Sequence, residues 1–279
     1  MRFALKYIIE KKFIKIFDKN DFNPEHILEC GQIFSYEKID NYYVVYSKDK
    51  AAKIVENEDG YVIETDDPKY FEVFFDLKTD YSKIKTYLKK FDILKEPIKF
   101  GSGIRILRQD LFETLISFIV SANNNIKRIQ LILNRIRQKF GTCMGAYYAF
   151  PTREQLLKAT EEDFLQMGAG YRAKYLYKVL RQIDEDILRE WQRMPTMQLR
   201  QKLISLAGVG PKVADCILLF GFSRGDVFPV DTWIEKMYRK FYTKDEQITR
   251  EKIRHNLTQE FGELSGYAQQ YLFYFMRAN

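Results

Sequence analysis

A lysine and a carboxylate stand out in the sequence because their positions suit covalent chemistry at a centre that becomes positively charged. Lys212 lies in the stretch LAGVGPKVADC at residues 206–216, at the predicted start of a helix. Asp231 follows 19 residues later, in FPVDTW at residues 228–233. A neutral lysine amine is a nucleophile that can form a Schiff base, and a carboxylate can stabilise positive charge that develops on a substrate.

The position of the lysine is electrostatically unfavourable, and this bears on its reactivity. A helix N-terminus carries positive potential, which disfavours an ammonium group. A free lysine has a pKa of about 10.4 and is neutral in only about 0.04% of molecules at pH 7. Lowering such a pKa to about 8 requires about 3 kcal/mol; the helix N-terminus supplies about 0.3–1 kcal/mol, and burial under a ligand must supply most of the rest. An ionised Asp231 very close to Lys212 would oppose this, so we assign Asp231 to charge stabilisation on the substrate and to helix capping.

The turn before the lysine has the residue types of a phosphate-binding loop. Gly208 and Gly210 allow positive φ angles and close approach of the backbone to a ligand. Pro211 fits the first position of a helix, where its missing N–H costs nothing. Such a turn between two predicted helices can hold a phosphate on free backbone amides. The string LxGVGxK is typical of a helix-hairpin-helix motif, although a tight connector without a ligand would use the same glycines.

Two regions of different periodicity must position these residues. Residues 1–79 read as strands, because short runs rich in β-branched and aromatic residues alternate with turn signals. Those runs are KFIKIF, YYVVYS, AAKIVE, YVIETD and the closing YFEVFFDL. Helical periodicity predicts helices over residues 81–91, 111–119, 129–140, 172–188, 197–206, 211–222, 232–241, 248–261 and 264–277, with further helix starts at Thr152 and Thr160.

These elements predict an α+β fold. An N-terminal antiparallel sheet domain (residues 1–100) precedes an all-helical helix-hairpin-helix domain (residues 101–279), and we expect the site near their junction.

Composition narrows the function classes. The 279 residues include 45 Lys and Arg against 38 Asp and Glu, a net charge of +7, which favours an anionic partner such as nucleic acid. Three separated cysteines provide no CxxC pair or four-cysteine cluster, and two histidines exclude HExxH. No apolar run approaches the ~20 residues of a membrane helix, and Lys6 interrupts the apolar N-terminus. We therefore expect a cytoplasmic protein without a membrane partner.

Six motifs in order carry a family resemblance. ECGQIFSY (29–36), SANNNIKRI (121–129), GAGYRAKYL (168–176) and GYAQQYLFYF (266–275) join the two stretches around Lys212 and Asp231. Together they resemble the 8-oxoguanine DNA glycosylase family of the helix-hairpin-helix base-excision superfamily, from about residue 25 to the C-terminus.

The resemblance implies a bifunctional glycosylase/AP lyase acting on 8-oxoguanine in duplex DNA in base-excision repair. Lys212 would attack the sugar, Asp231 would be the catalytic carboxylate, and β-elimination would cut the strand. No metal or organic cofactor is needed for this chemistry. The short sheet domain resembles that of bacterial members. We expect a bacterial protein that is associated with the nucleoid through DNA binding, and we expect it to be a monomer.

The resemblance also implies a set of base-pocket residues. The carbonyl of Gly31 would accept a hydrogen bond from N7–H of the oxidised base, where guanine has a lone pair. Phe273 and Cys216 would sandwich the flipped base, and Gln269 would bond its Watson–Crick edge. The same residues also have structural interpretations: a glycine between two strands, a core phenylalanine, a small buried cysteine and an exposed glutamine.

A further set would contact the opposite strand. The resemblance places Asn123, Arg128 and Arg172 near the orphaned cytosine, which predicts a preference for cytosine opposite the lesion, and it makes Tyr171 a wedge in the vacated stack. One of the asparagines at 123–125 is also expected to cap a helix. The chain departs from eukaryotic members at Trp233, where they carry a phosphate-contacting histidine.

Three alternatives remain open from the sequence. A pyrimidine-lesion glycosylase of the endonuclease III type shares the lysine but usually carries a four-cysteine iron–sulfur cluster, and this chain has no cysteine after Cys216. An alkyl-base glycosylase has a similar sheet domain but generally lacks the lysine. A non-catalytic DNA-binding module would need only the hairpin.

Overall fold

The computed structural model describes residues 5–245 and 247–279, in which one six-stranded sheet precedes a series of helices. The strands are β1 (Tyr7–Ile9), β2 (Phe13–Ile16), β3 (Tyr36–Ile39), β4 (Tyr42–Ser47), β5 (Lys50–Glu56) and β6 (Tyr61–Glu64). The helices are α1 (Pro24–Leu28), α2 (Pro68–Phe74), α3 (Tyr81–Leu88), α4 (Asp92–Phe100), α5 (Leu111–Ser121), α6 (Ile126–Phe140), α7 (Arg153–Leu156), α8 (Glu161–Gln166), α9 (Arg172–Gln182), α10 (Glu185–Trp191), α11 (Thr196–Ile204), α12 (Pro211–Phe220), α13 (Thr232–Phe241), α14 (Arg250–Phe261) and α15 (Ser265–Ala278). The predicted α+β class, with a sheet followed by a helical region, is confirmed.

The sheet is antiparallel throughout, in the order β1-β2-β6-β5-β4-β3. Ile63 of β6 pairs with Ile14 of β2 on one side and with Ile54 of β5 on the other. All three side chains are buried, because alternate residues of neighbouring strands share one face. Phe71 and Phe74 of α2 belong to the same hydrophobic cluster and cover that face.

Two helices, α1 and α2, interrupt the region predicted as strands. The strand prediction for YFEVFFDL is wrong, because most of this run lies in α2. The Asp67 side chain accepts a hydrogen bond from Tyr70 N at 3.0 Å, and Pro68 occupies the first helical turn. A short apolar aromatic run without clear periodicity fits a buried helix as well as a strand, so the cap and the proline decide the local structure.

The helical predictions hold more closely. Helix α13 has the predicted limits, and Thr152 and Thr160 both begin helices with capping boxes. The single helix predicted over 172–188 is instead two, α9 and α10, because Ile183 is extended and Asp184 caps the second helix by accepting from Ile187 N at 2.8 Å.

Three hydrophobic clusters organise the described residues. One lies beneath the sheet, and a second joins α5, α6 and α8 to α12. The third packs α3 and α4 against α13, α14 and α15, with Leu88 and Ile98 beside Leu272. Helices α3 and α4, which precede residue 100, thus pack with helices at the end of the chain. The predicted boundary between the two domains at residue 100 stays a prediction. No described helix combines the length and apolarity that a bilayer-spanning segment needs.

Candidate active site

The hairpin between α11 and α12 has the geometry expected of a ligand-binding turn. Gly208 has φ +82°, and a Cβ at this position would come within 2.5 Å of the Tyr175 ring, so the turn packs tightly on α9. Gly210 is the N-cap of α12 and provides no side-chain cap, while Pro211 occupies the first turn. A Cβ at Gly210 would meet no atom within 4 Å. The backbone at the start of α12 is therefore open to a ligand.

Lys212 is half-buried on the first turn of α12. Its Nζ lies 5.8 Å from the centroid of the Phe118 ring, and no carboxylate of a described residue is within salt-bridge distance. Burial raises the pKa of the Cys216 thiol one turn later, and the positive charge of the neighbouring Lys212 partly offsets that rise in pKa.

Asp231 is the N-cap of α13. Its Oδ1 accepts hydrogen bonds from Trp233 N at 3.0 Å and Ile234 N at 2.9 Å. Its Oδ2 accepts none from the described residues. One carboxylate oxygen therefore holds the helix, and the other is free to face a substrate. Trp233 is 36% exposed and lies beside Lys236, whose Nζ is 5.1 Å from the ring centroid.

One cavity brings together residues that are far apart in the sequence. All six predicted catalytic and base-pocket positions line it: Gly31, Lys212, Cys216, Asp231, Gln269 and Phe273. Cys30, Phe220 and Gln270 complete the lining. Its volume of about 20 Å³ is close to the minimum that admits one water molecule. A base can enter only if the walls separate.

Gln269 contributes an unpaired acceptor to this cavity. The residue is 5% exposed, and its Oε1 has no hydrogen-bond partner among the described residues. A buried acceptor without a partner costs about 1–3 kcal/mol. A ligand that donates to Oε1 would remove that cost, so the exposed-glutamine interpretation is wrong.

The turn that contains Gly31 is held by two glutamines that the sequence did not single out. Gln32 donates through Nε2 to the carbonyls of Ile27 and Arg105, both at 2.8 Å, and accepts at Oε1 from Leu107 N at 2.8 Å. Gln270 donates to the Cys30 carbonyl at 2.7 Å. The interpretation of Gly31 as a link between two strands is wrong, since the residue lies between α1 and β3 with φ +82°.

A second cluster of predicted residues lies where the α5–α6 turn meets the α8–α9 turn. The carbonyl of Ala122 accepts hydrogen bonds from Tyr171 Oη at 3.2 Å and from Arg172 Nε and Nη2 at 2.8 and 2.6 Å. Tyr171 is 54% exposed. Arg172 is 3% exposed, and its guanidinium also donates to the carbonyls of Asn123 and Ala169. Its contacts hold the two turns together and present Tyr171 at the surface.

The α5–α6 turn itself is strained and exposed. Asn123 has φ +49°, a conformation that non-glycine residues rarely adopt. Asn125 is the N-cap of α6 and accepts from Arg128 N at 3.0 Å, which confirms that one of the three asparagines caps a helix. The exposed Arg128 guanidinium donates to the Gly168 carbonyl at 3.0 Å. Asn123, Arg128 and Tyr171 therefore form one surface, here called the turn surface, and the buried Arg172 supports it from beneath.

The hairpin is braced by a buried ion pair that was not predicted from the sequence. Arg200 of α11 donates to both carboxylate oxygens of Asp215 on α12, at 2.6 and 3.2 Å. It also donates to Glu251 of α14 at 2.9 and 3.2 Å. Burial raises the pKa of Asp215 to about 6, against the opposing effect of Arg200. The only sequence signal was the spacing of two opposite charges on the flanks of the hairpin.

Comparison with known proteins agrees with this arrangement. Residues 15–115 match the 8-oxoguanine DNA glycosylase N-terminal domain, and residues 116–263 match the HhH-GPD superfamily of base excision DNA repair proteins. The N-glycosylase/DNA lyase of Saccharomyces cerevisiae is 31% identical over 94% of this chain and 85% of its own length. A probable N-glycosylase/DNA lyase of Methanothermobacter thermautotrophicus is 33% identical over 72% of each chain.

A solved structure extends this likeness to nearly the whole chain. The 8-oxoguanine glycosylase/lyase of Clostridium acetobutylicum, in complex with double-stranded DNA containing cytosine opposite 8-oxoguanine, is 36% identical and superposes with a TM-score of 0.91 over 99% of this chain and 98% of that chain. The 3-methyladenine DNA glycosylase of Archaeoglobus fulgidus, at 17% identity and a TM-score of 0.75 over 93% of this chain and 97% of that chain, shares the fold. The chain belongs to the 8-oxoguanine DNA glycosylase family within the HhH-GPD superfamily.

Proposed function

We propose that this protein is a bifunctional DNA glycosylase/AP lyase that removes 8-oxoguanine from duplex DNA, preferentially opposite cytosine. The observation that carries the proposal is the single cavity in which Lys212, Asp231, Gln269 and Gly31 meet. It combines a nucleophile, a carboxylate with a free oxygen, and polar groups suited to a purine.

Base recognition follows from the acceptors in the cavity. The Gly31 carbonyl accepts from N7–H of 8-oxoguanine, whereas guanine presents a lone pair at N7 and would leave two acceptors facing each other. The unpaired Gln269 Oε1 accepts from the N–H donors on the Watson–Crick edge. Phe273 and Cys216 cover the two faces of the ring. Because binding requires the cavity to open, part of the binding energy is used to separate these walls.

The chemical steps use the two charged residues. The neutral amine of Lys212 attacks C1′ of the deoxyribose, and the bond from C1′ to the base breaks with its electron pair leaving on the base. Asp231 Oδ2 stabilises the positive charge that develops on the sugar. The C1′ adduct opens to a protonated Schiff base, loss of a proton from C2′ expels the 3′ phosphate by β-elimination, and hydrolysis of the Schiff base returns the amine.

The turn surface would contact the opposite strand. Tyr171 is exposed and enters the space left by the flipped nucleotide. Arg128 provides donors for the acceptors of the orphaned cytosine, and Asn123 lies beside it. The buried Arg172 acts as a second donor only if its guanidinium leaves the backbone carbonyls that it holds in the free protein. We propose that the enzyme acts as a monomer, because all of these groups come from one chain.

Borohydride trapping tests the assignment of the nucleophile. The unmutated protein is expected to form a covalent adduct with an 8-oxoguanine:cytosine duplex, while Lys212→Gln binds the duplex but forms none. Lys78→Gln is the matched control, because Lys78 is an exposed lysine paired with Glu72 outside the cavity. A normal adduct yield from Lys212→Gln would refute the assignment. Duplexes containing thymine glycol or 3-methyladenine separate this activity from those of related glycosylases.

A further inference from the structure

Arg277 links two walls of the base cavity. It lies one helical turn after Phe273 on α15, and its Cζ is 5.4 Å from the centroid of the Phe273 ring. Its Nη2 donates a hydrogen bond to the carbonyl of Glu29, in the turn that leads to Gly31. One guanidinium therefore contacts both the aromatic wall and the backbone that carries the proposed base-reading carbonyl.

Gly31 is the point at which these groups converge. A Cβ built on this residue would lie 3.0 Å from Phe273 Cε1 and 3.4 Å from Arg277 Nη1. The ring and the guanidinium thus pack side by side against the α carbon of Gly31. Arg277 Nη1 is buried and has no hydrogen-bond partner within residues 5–245 and 247–279. Among the described residues, Nη2 thus makes the hydrogen bond to the turn, while the unpartnered Nη1 packs beside the Phe273 ring.

The role of Arg277 differs from that of Gln32 and Gln270, the two glutamines that hold the turn containing Gly31. Gln32 and Gln270 hold the turn from the side of the core through three carbonyls and one amide. Their uncharged amides cannot form a cation–π contact with a ring. Arg277 donates to the turn and also lies against the Phe273 ring, because a planar guanidinium can donate in its plane and stack on an aromatic face.

We propose that Arg277 is a positioning residue that sets the distance and orientation between Phe273 and the Glu29–Gly31 turn, and thereby the efficiency with which an oxidised purine is accepted. The proposal rests on the proposed function of the cavity. Arg277 acts through Phe273 and the Gly31 carbonyl. Steps that involve no base in the cavity do not depend on it.

The test compares two substrates with one variant. Arg277→Met preserves the length and apolar stem of the side chain but removes the donor and the charge. We expect kcat/KM for excision of 8-oxoguanine opposite cytosine to fall by about tenfold or more, as for loss of one charge-assisted contact. Strand cleavage at a preformed abasic site should remain within about twofold, because that substrate places no base between Phe273 and Gly31. Arg277→Lys, which keeps the charge but not the planar fork, should be intermediate in excision.

Arg224→Met is the matched control. Arg224 also donates through Nη2 to backbone carbonyls, those of Gln192 and Met194 at 2.7 and 3.0 Å, and also has a buried, unpartnered Nε. It lines no part of the cavity. Both activities of this variant should stay within about twofold of the unmutated protein.

Each outcome decides the proposal. If Arg277→Met lowers excision and abasic-site cleavage equally, Arg277 only stabilises the fold. If excision is unchanged, Arg277 does not position the cavity walls. Either result overturns the proposal. If Arg277→Met does not fold, as judged by its melting curve, Arg277→Lys gives the same comparison of excision against abasic-site cleavage. Failure of the unmutated protein to excise 8-oxoguanine would instead refute the function on which the proposal rests.

Discussion

Replacing Arg200 with methionine tests whether the hairpin that carries Lys212 depends on a buried ion pair. The side chains of Arg200 and Asp215 are 7% and 2% exposed, and two hydrogen bonds of 2.6 and 3.2 Å join them. Charge-assisted hydrogen bonds contribute about 1.5–3 kcal/mol each. Arg200→Met leaves the carboxylate of Asp215 buried without its partner, which typically costs about 3–5 kcal/mol.

The second partner of Arg200 changes this magnitude little. The Glu251 side chain is 53% exposed and also accepts from Arg254 Nε at 2.8 Å. Water can replace its lost contact, so its share is at most about 1 kcal/mol. The free energy of unfolding at pH 8 should therefore fall by about 3–5 kcal/mol, with a decrease in Tm of roughly 6–20 °C.

The effect should depend on pH with a definite sign. The pKa of Asp215 in the folded protein, about 6, lies above its ordinary value of 3.8. The folded state therefore binds more protons in this window, and the contribution of Asp215 to stability is full below pH 3.8 and is lost as the pH rises through about 6. Because Arg200 lowers this pKa, its removal extends the loss above pH 6. The destabilisation by Arg200→Met should be larger at pH 8 than at pH 6, growing by at most about 1.4 kcal/mol per pH unit.

Urea unfolding at pH 6 and pH 8 measures the destabilisation caused by Arg200→Met. The double variant Arg200→Met/Asp215→Leu is the control. The double variant removes both charges and should recover most of the lost stability, because an apolar pair of similar volume is often as stable as a buried ion pair. A double variant as unstable as the single one, together with the same destabilisation at both pH values, would refute the reasoning and assign the loss to packing.

Two further predictions concern the hairpin and the cap. Gly208→Ala should lower the free energy of unfolding by about 2–4 kcal/mol, because its φ is +82° and the new Cβ would contact the Tyr175 ring at 2.5 Å. Gly210→Ala should change the free energy of unfolding by at most about 0.5 kcal/mol. Urea unfolding compares the two variants, and equal losses of stability would contradict the role of packing at Gly208. Asp231→Ser keeps a side-chain cap, so the free energy of unfolding should change by less than about 1 kcal/mol. The rate of single-turnover excision should fall by about 100-fold or more, because the carboxylate charge is lost. An unchanged rate would argue against the proposed role of Asp231 in stabilising charge on the sugar.

Much of the fold followed from local patterns. The alternating run YYVVYS became β4 with the predicted limits, and the caps at Thr152 and Thr160 began the helices they predicted. These signals are reliable because strand alternation and helix capping involve neighbours within a few residues. The error at residues 70–77 has the same origin, since a run of aromatic residues has no distinct period and its cap at Asp67 was the better guide.

The order of motifs also predicted which residues share a site. Lys212 and Asp231 are joined by one helix and a short loop, so their proximity follows from the chain itself. The approach of Gly31 to Gln269 joins opposite ends of the chain. It was implied by resemblance alone, since no local pattern brings residues so distant in sequence together.

The sequence alone carried the class of fold, the family and the proposal of a nucleophile with its carboxylate, because each depends on residue type and short spacing. Only the tertiary structure showed which residues support the site, namely Gln32, Arg200 and Arg277. It also showed that the cavity has a volume of about 20 Å³. These polar side chains resemble ordinary surface residues in the sequence, because their partners are backbone groups and carboxylates on other elements. Which of those partners comes within hydrogen-bond distance depends on how the helices and the sheet pack, and such polar contacts between distant elements leave no periodic pattern in the sequence.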